Sequence, residues 1–521
     1  MRNFFLVLIF CFGFGSSAWA QSELDTTFGT GGKTLIIFGA LAGVRDMAIQ
    51  PDKKIVMVSS CYHISLGRVP FCAVRVNEDG SFDDSFHNVN FANAPGVLTM
   101  FANNQTGAGT GVALQPDGKV VVAGYVPGAS SEDVALVRYN SDGTEDTSFG
   151  TGGRVIHDVI PNLNDRAERV VLQPDGKILI VGSSGSSLFV ARYLSDGTLD
   201  STFGVDGIAK ADSASQGKSI VLQPDGKIVV GGIFLASSSY LVGRLNADGT
   251  PDTTWDGDGY LSIPANGDQT GIISVGLYLD GRVVALGHRR DLFRFNQNGS
   301  IDTSFDGDGT RLALSAADKE PYNMMVSASG RITVVGTGIP PACQFGFPCP
   351  TPDLRYFSAR YKPDGSLDTN FSDDGYLEID VGSSHSDGAT AIAADPIGRV
   401  VIGGLSSGCC VRTYWEQPVY SATRLSPNSP RFVSVSGRIT REDGSPVSNV
   451  TISTQGMTAI TSPFGYYTFD NVETNRTYTF SVRARGGLSI PKRTILVDDQ
   501  ITGFDFVGHQ PETLVTKMSE K

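Results

Sequence analysis

The chain has 521 residues, of which 40% are hydrophobic and 62 are glycine, and its formal net charge is −13. This length exceeds that of one ordinary domain, and the glycine content suits many short strands separated by turns. The negative charge, without any block of Lys or Arg, argues against a nucleic-acid partner, because neutralising phosphates requires a basic face.

The first twenty residues have the pattern of a secretory signal peptide. Arg2 precedes an apolar run from Phe4 to Phe14, and Ala18-Trp19-Ala20 provides a small-residue cleavage site. The run is too short to span a bilayer, and no later stretch approaches the roughly 18 apolar residues that a transmembrane helix needs. We therefore expect residues 1–20 to be removed and the mature protein to be exported to the periplasm or the exterior.

An arginine, an aspartate eight residues later and an aromatic residue three further on recur six times after this segment. The sets are Arg75/Asp83/Phe86, Arg138/Asp146/Phe149, Arg192/Asp200/Phe203, Arg244/Asp252/Trp255, Arg294/Asp302/Phe305 and Arg360/Asp368/Phe371. Asp25 and Phe28 have no arginine before them, and Arg424 has no aspartate after it. These half-units complete a seventh repeat, as a closed ring requires and a linear solenoid does not. The sequence predicts an all-β protein whose residues 21–428 form a seven-bladed β-propeller, closed by Asp25, Phe28 and Arg424.

Each repeat also contains a hairpin turn between runs rich in β-branched residues, and three of the turns read Gln-Pro-Asp-Gly-Lys, at 115–119, 173–177 and 223–227. Asp-Gly favours a tight turn, because glycine accepts a positive φ. In one repeat we expect a strand at Arg154–Val159, then the hairpin, then an outer strand at Leu188–Tyr193.

These turns, together with the motifs around the recurring arginine and aspartate, resemble the delta-60 repeat family over roughly residues 22 to 428. The resemblance implies a propeller of exported bacterial proteins and brings no established catalytic residues. We expect each Arg and Asp to pair at a blade junction and each aromatic ring to wedge between blades, where losing a buried Phe costs about 3 to 5 kcal/mol.

A short linker at residues 429–432 precedes a second pattern. Short alternating strands predict a small β-sandwich at residues 433–508, followed by a polar tail at 509–521. The segments Val435–Ile439, Asp443–Val447 and Thr461–Tyr467 resemble the carboxypeptidase regulatory-like family. The resemblance implies a non-catalytic, transthyretin-like module, and some relatives are grouped with carbohydrate-binding folds.

No motif predicts catalysis, a metal site or a cofactor. None of the six histidines begins an H-x-x-E or H-E-x-x-H pattern, and no G-x-S-x-G nucleophile elbow occurs. Asp256–Gly259 and Asp306–Gly309 resemble fragments of calcium loops, but Gly267 and Ala317 stand where a bidentate Glu is required. We predict ordinary turns there, with calcium as the alternative.

Cysteines mark the connections between the third and fourth strands of the first, sixth and seventh repeats, and ring closure makes these repeats neighbours. They are Cys61, Cys72, Cys343, Cys349, Cys409 and Cys410. In an exported chain disulfides are expected, and six cysteines allow about fifteen connectivities. Cys61 with Cys72 and Cys343 with Cys349 are the local pairings, whereas Cys409 and Cys410 bridge each other or reach separate partners.

Aromatic residues lie in the same connections, which equivalent geometry places on one face of the ring. They are Tyr62, Phe71, Phe345, Phe347, Tyr414 and Trp415. These rings either pack under their own loops or form a patch that stacks on sugar or grips a protein. The leading hypothesis is a secreted, non-enzymatic binding or scaffold protein of the bacterial envelope or exterior, engaging glycan or protein through the loops of blades six, seven and one. The alternative is an exported hydrolase or lyase acting in the central channel.

Overall fold

The computed structural model describes residues 24–36, 43–60, 70–86, 97–99, 101, 107–265, 271–312, 319–338, 354–372, 374–381, 386–395, 398–407, 419–425, 432–473, 476–484, 488–497 and 501–509. All regular elements among them are β-strands, which confirms the predicted all-β class. In this part of the chain there is no helix of the length and hydrophobicity needed to cross a membrane.

The propeller begins with β1 (Lys33–Ile36), which belongs to its last blade. Blade 1 contains β2 (Asp46–Ile49), β3 (Ile55–Ser60), β4 (Phe71–Val76) and β5 (Val97–Thr99). Blade 2 contains β6 (Ala108–Leu114), β7 (Val120–Pro127), β8 (Glu132–Tyr139) and β9 (Arg154–His157). Blade 3 contains β10 (Asp165–Leu172), β11 (Ile178–Ser184), β12 (Ser187–Tyr193) and the first half of β13 (Ile208–Leu222).

The second half of β13 opens blade 4, which joins blades 3 and 4 into one seven-stranded sheet. Blade 4 continues with β14 (Ile228–Phe234), β15 (Ser239–Leu245) and β16 (Tyr260–Pro264). Blade 5 contains β17 (Ile272–Leu277), β18 (Val283–Gly287), β19 (Asp291–Phe295) and β20 (Thr310–Leu312). Blade 6 contains β21 (Lys319–Val326), β22 (Ile332–Gly338), β23 (Arg355–Tyr361) and β24 (Tyr376–Ile379). Blade 7 contains β25 (Ser386–Ala394), β26 (Val400–Ser407), β27 (Val419–Arg424) and β1, so the predicted seven-bladed propeller is confirmed.

The strands within a blade are antiparallel, and the middle strands are buried on both faces. In β11 every residue is buried, so the alternation of apolar and polar residues disappears. Ile178 and Ile180 pack into a core shared with blade 2, whereas Leu179 and Val181 pack into a core shared with blade 4. The apolar run of β11 therefore holds three blades together.

The predicted position of the outer strand is wrong. The segment Leu188–Tyr193 lies in β12, which is the third strand, because β12 pairs with β11 on one side and β13 on the other. The outer position belongs to the strand after the Gly-Gly, as β9 shows by pairing with β8 of its own blade. After the third strand, the chain forms the fourth, outer strand of the same blade and only then crosses to the next blade.

The two ends of the propeller meet in blade 7. β1 pairs antiparallel with β27, with Lys33 opposite Thr423. The Asp25 amide donates to the Arg424 carbonyl at 2.8 Å, and the Arg424 amide donates to the Gly32 carbonyl at 3.1 Å. The N-terminal strand thus supplies the outer edge of the blade formed by the C-terminal end of the ring.

A two-sheet β-sandwich follows the propeller, as predicted. One sheet has the order β31 (Tyr466–Glu473), β28 (Phe432–Arg441), β34 (Phe506–Gly508). The other has the order β30 (Met457–Ile460), β29 (Thr451–Thr454), β32 (Arg476–Arg483), β33 (Arg493–Val497). Phe469, Phe480 and Phe504 pack between the sheets, and Leu279 and Ala328 of the propeller pack against this core.

Candidate functional site

Each blade has two ends, and the two ends carry different chemistry. The hairpin face is the end that carries the turns between first and second strands, such as residues 173–177. The loop face is the opposite end, where second strands connect to third strands and outer strands connect to the next blade. The recurring arginine, aspartate and aromatic residue lie on the hairpin face.

Blade 3 shows how this motif works. Arg192 Nε donates to Asp200 Oδ2 at 2.8 Å, and Arg192 Nη1 donates to the Ala247 carbonyl of the next blade at 2.6 Å. The guanidinium lies 4.6 Å from the centre of the buried Phe203 ring, a cation–π contact. Lys177, from the hairpin turn, approaches the same aspartate oxygen to 3.1 Å. The motif therefore joins the third strand and the hairpin turn of blade 3 to each other and to blade 4.

The same arrangement occurs in all seven blades, with Arg Nε to Asp Oδ2 distances between 2.6 and 2.8 Å. In blade 7 the pair is Arg424 with Asp25, and Arg424 lies 4.8 Å from the Phe28 ring centre. Burial opposes the ionisation of Asp200, but hydrogen bonds from Thr202 and Lys177 outweigh it and hold the pKa of Asp200 well below its usual range. These charges are satisfied within the protein, so the motif is structural.

Five of the six predicted patch aromatics lie outside the described residues, namely Tyr62, Phe345, Phe347, Tyr414 and Trp415. The same holds for five of the six predicted disulfide cysteines, namely Cys61, Cys343, Cys349, Cys409 and Cys410. Phe71 requires a correction. It is fully buried on β4 and meets Phe101 edge-on at 4.9 Å, so it offers no exposed ring to a ligand. Cys72 beside it also lies on β4, not in the predicted connection, and is 1% exposed. The disulfide pairings stay predictions.

A polar cavity of about 540 Å³ opens on the loop face between blades 2, 3 and 4. Its lining includes hydroxyl, amide and charged side chains, namely Ser130, Ser131, Asn162, Asn164, Arg166, Glu168, Ser183, Gln216 and Lys218. Leu163, which is 40% exposed, adds an apolar element to the rim. No histidine or cysteine is among the described lining residues.

Ion pairs fix the charged side chains of this cavity. Lys218 Nζ lies 2.7 Å from Glu168 Oε1, and Arg166 pairs with Glu132. Asn164 Oδ1 accepts a hydrogen bond from the Glu132 amide at 3.1 Å. The walls therefore present donors and acceptors to a polar ligand without an unbalanced charge.

A second cavity of about 220 Å³ adjoins the first, because Gln216 and Lys218 line both. Ile233, Leu235 and Ile273 give it an apolar wall, and His288 lies at its edge. A ligand that spans the two cavities would meet a polar compartment and then an apolar one.

The sequence did not point to these cavities, because no motif links their residues. Ser130 precedes β8, Asn164 precedes β10 and Gln216 lies on β13, so only ring packing brings them together. Equivalent positions in other repeats carry other residue types, so the repeat motifs do not include the residues of the cavity.

The acidic turns that resemble calcium loops form hydrogen-bonded turns in the structure. Asp258 Oδ1 accepts from the Tyr260 amide at 2.8 Å, and Asp308 Oδ1 accepts from the amide and the hydroxyl of Thr310 at 2.8 Å. Asp306 pairs with Arg311 at 3.0 Å. These contacts match ordinary turns, in which an aspartate bonds to the backbone two residues on.

The repeats match a known family model, described as "Domain of unknown function (DUF5122) beta-propeller". The matched residues are 50–86, 115–149, 173–203, 223–254 and 279–305. Residues 434–507 match the carboxypeptidase regulatory-like domain. The predicted repeat family and the predicted C-terminal domain are confirmed. No curated protein matches the chain.

Solved propellers are similar to this chain at low identity. Virginiamycin B lyase from Staphylococcus aureus is 12% identical, with a TM-score of 0.38 over 62% of this chain and 97% of that one. YCF48 from Cyanidioschyzon merolae is 10% identical, with a TM-score of 0.39 over 75% and 98%. BamB from Moraxella catarrhalis is 10% identical, with a TM-score of 0.35 over 74% and 98%. These similarities carry no argument about function.

Proposed function

We propose that the protein is an exported, non-enzymatic binding or scaffold protein of the bacterial envelope or exterior, and that its loop face engages a glycan. The observation that carries the proposal is the polar cavity between blades 2, 3 and 4, adjoined by an apolar compartment. The signal-peptide pattern supports export.

The lining of the cavity favours a neutral, hydroxyl-rich ligand. Arg166 and Lys218 are paired with carboxylates, which reduces their attraction for an anionic ligand. Ser130, Asn162 and Gln216 supply hydroxyl and amide groups that donate and accept hydrogen bonds. Ligand sites with a few convergent polar groups beside apolar walls are typical of small-molecule recognition.

The test is binding of residues 21–521 to a broad glycan array, with two matched substitutions. Ser130→Trp places a large ring at the cavity, whereas Thr151→Trp replaces an exposed hydroxyl residue beyond the other end of β8, on the hairpin face. We expect wild type and Thr151→Trp to bind the same glycans and Ser130→Trp to lose them. Equal loss in both variants, or in neither, would remove the cavity as the glycan site.

The predicted aromatic patch in the loops of blades 6, 7 and 1 is the other candidate site for the glycan. A variant with Tyr62, Tyr414 and Trp415 changed to Ala tests the predicted aromatic patch. If this variant loses the glycans and Ser130→Trp keeps them, the binding site lies in those loops. If wild type binds no glycan, a protein partner becomes the better account of the loop face.

The alternative, an exported hydrolase or lyase using the central channel, is tested by the fate of each glycan. Asp46 lies on β2, an inner strand of the ring. Burial raises the pKa of Asp46, and the charge of Arg169 partly offsets this rise. Asp46 Oδ2 accepts from the Val112 amide at 3.0 Å and so links blades 1 and 2. Bound glycans recovered unchanged after prolonged incubation support binding without catalysis, whereas cleavage that Asp46→Asn abolishes would support the enzyme.

A further inference from the structure

Three aspartates meet where blade 2 joins blade 3. Asp133 lies near the start of β8, Asp158 follows β9, and Asp165 begins β10. One carboxylate oxygen from each lies within 4.8 Å of those of the other two. None of the three forms an ion pair with another described residue. Like charges at this separation disfavour one another unless something positive joins them.

Two buried oxygens at this junction have no partner at hydrogen-bond distance in the described part of the chain. Asp165 is fully buried, and its Oδ2 accepts from the amides of Val159 at 2.6 Å and Ile160 at 3.2 Å. Asp165 Oδ1 and the hydroxyl of the fully buried Ser184 are close enough to influence each other, but neither has a partner at hydrogen-bond distance among the described residues. Ser184 stands opposite Asp165 in the ladder between β10 and β11. Unsatisfied buried oxygens in a native structure call for a missing partner.

Among the described neighbours, no group supplies a cation at hydrogen-bond distance from these carboxylates. Burial raises the pKa of both Asp165 and Asp133, and Asp158 raises both further. His157, next to Asp158 in the chain, contacts the Tyr193 hydroxyl through Nδ1 at 2.8 Å. Lys210 is exposed to solvent and forms no ion pair with the three aspartates.

The chain contains an internal comparison 222 residues further on, where blade 6 joins blade 7. Asp387 stands at the position of Asp165, and its Oδ2 accepts from the Val381 amide at 2.8 Å, as Asp165 accepts from Val159. Asp380 stands at the position of Asp158. The third position differs, because Arg355 stands where the first junction has Asp133.

We infer that Asp133, Asp158 and Asp165 bind a hard divalent cation, Ca²⁺, at this junction, where the third position carries an aspartate and not the cationic Arg355 of the other junction. Carboxylate and hydroxyl oxygens are the ligands that Ca²⁺ prefers, and it accepts six to eight of them, including water. Asp158 is exposed, so solvent can complete the shell. A Cβ on Gly128 would lie 2.2 Å from Asp133 Oδ2, so the glycine leaves room for that carboxylate.

The cation has a structural consequence for the loop face. Residues 158–165 form the connection between the blades, and Asn162, Leu163 and Asn164 in this connection line the polar cavity. A cation bound to Asp158 and Asp165 fixes both ends of that connection. The inference does not rest on the proposed glycan function.

The experiment measures Ca²⁺ binding by calorimetry and thermal unfolding in Ca²⁺ against EDTA, using residues 21–521. Wild type should bind one Ca²⁺ at this site with a Kd of about 10⁻⁴ to 10⁻³ M. Its Tm should rise by about 2–4 °C in about 10 mM Ca²⁺. Asp133→Arg copies the other junction, so this variant should lose the binding heat, and its Tm should not respond to Ca²⁺.

Two further variants keep the test decisive. Asp158→Asn changes an exposed residue and should weaken Ca²⁺ binding at least about tenfold even if Asp133→Arg does not fold. Asp258→Asn removes the acidic turn that resembles a calcium loop and should leave binding unchanged. The inference is overturned if wild type shows no binding at about 10 mM Ca²⁺, or if Asp158→Asn binds Ca²⁺ as tightly as wild type.

Discussion

The hairpin face and the loop face are built from the same strands but differ in what repeats. On the hairpin face the Arg–Asp pair and its aromatic ring recur in every blade with nearly the same geometry. On the loop face the polar cavity is lined by residues of blades 2, 3 and 4 that have no common motif. A contact that every junction needs appears in every repeat, whereas a cavity formed at one place in the ring has no repeated motif.

Removing the N-terminal strand is the most severe way to break the hairpin-face network. Deleting residues 21–36 leaves β27 without its partner β1 and Arg424 without Asp25 and Phe28. We expect the cooperative unfolding transition to be lost, because an unpaired edge replaces a closed ring. Circular dichroism would monitor this transition. Leu35→Ser on the same strand, at a side chain 47% exposed, should change stability by less than about 0.5 kcal/mol. A deletion that still unfolds like the full chain would show that closure is dispensable.

Removing a single aromatic ring of the motif should have the next largest effect on stability. Phe149 is fully buried beneath Arg138, whose guanidinium lies 4.6 Å from the ring centre. Phe149→Ala should lower the free energy of unfolding by about 3 to 5 kcal/mol, measured by urea denaturation. Ile156→Ala removes a side chain that is 48% exposed and should cost much less. Equal losses for the two variants would contradict a special role for the wedge between blades.

The paired aspartates make stability depend on pH. Asp200 has a pKa below its ordinary value of 3.8, so its stabilising contribution is complete above that value and is lost as pH falls through the lower folded pKa. Asp200→Asn should therefore cost about 2 kcal/mol at pH 7, and the difference from wild type should shrink at pH 3 and below. A cost that stays constant with pH would mean that Asp200 acts through shape rather than charge.

The lysine of the hairpin turn in blade 3 should matter least. Lys177 Nζ lies 3.1 Å from Asp200 Oδ2, but the side chain is 29% exposed and Arg192 already pairs with that aspartate. Lys177→Met should change the free energy of unfolding by about 0 to 1 kcal/mol. A loss as large as that of Phe149→Ala would mean that the turn, and not the ring, holds the junction.

The blade number and the hairpin-face chemistry were predictable from the sequence, because seven similar environments select similar residues. Asp25, Phe28 and Arg424 indicated closure because they were incomplete copies of a motif complete elsewhere. The order of the strands within a blade was not predictable from the same motif residues. The motif residues mark the junction, but they do not say whether Leu188–Tyr193 or Arg154–His157 lies outermost.

The loop face was less predictable, because its residues come together only through ring packing. Phe71 looked like a loop aromatic from its place beside Cys72, yet it lies on β4 in the core. The acidic junction did leave a signal, since Asp165 and Asp387 are equivalent while Asp133 and Arg355 have opposite charge. Comparing repeats for differences, in addition to similarities, would have found it.

Hydrogen exchange with and without the tightest-binding glycan from the array tests most directly whether the two faces have different roles. The account predicts that protection appears at residues 130–131, 162–168 and 216–218, which line the cavity. The hairpin turns at 115–119, 173–177 and 223–227 should exchange equally in both states. Protection confined to those turns would place the ligand on the hairpin face and contradict the division between a structural face and a binding face.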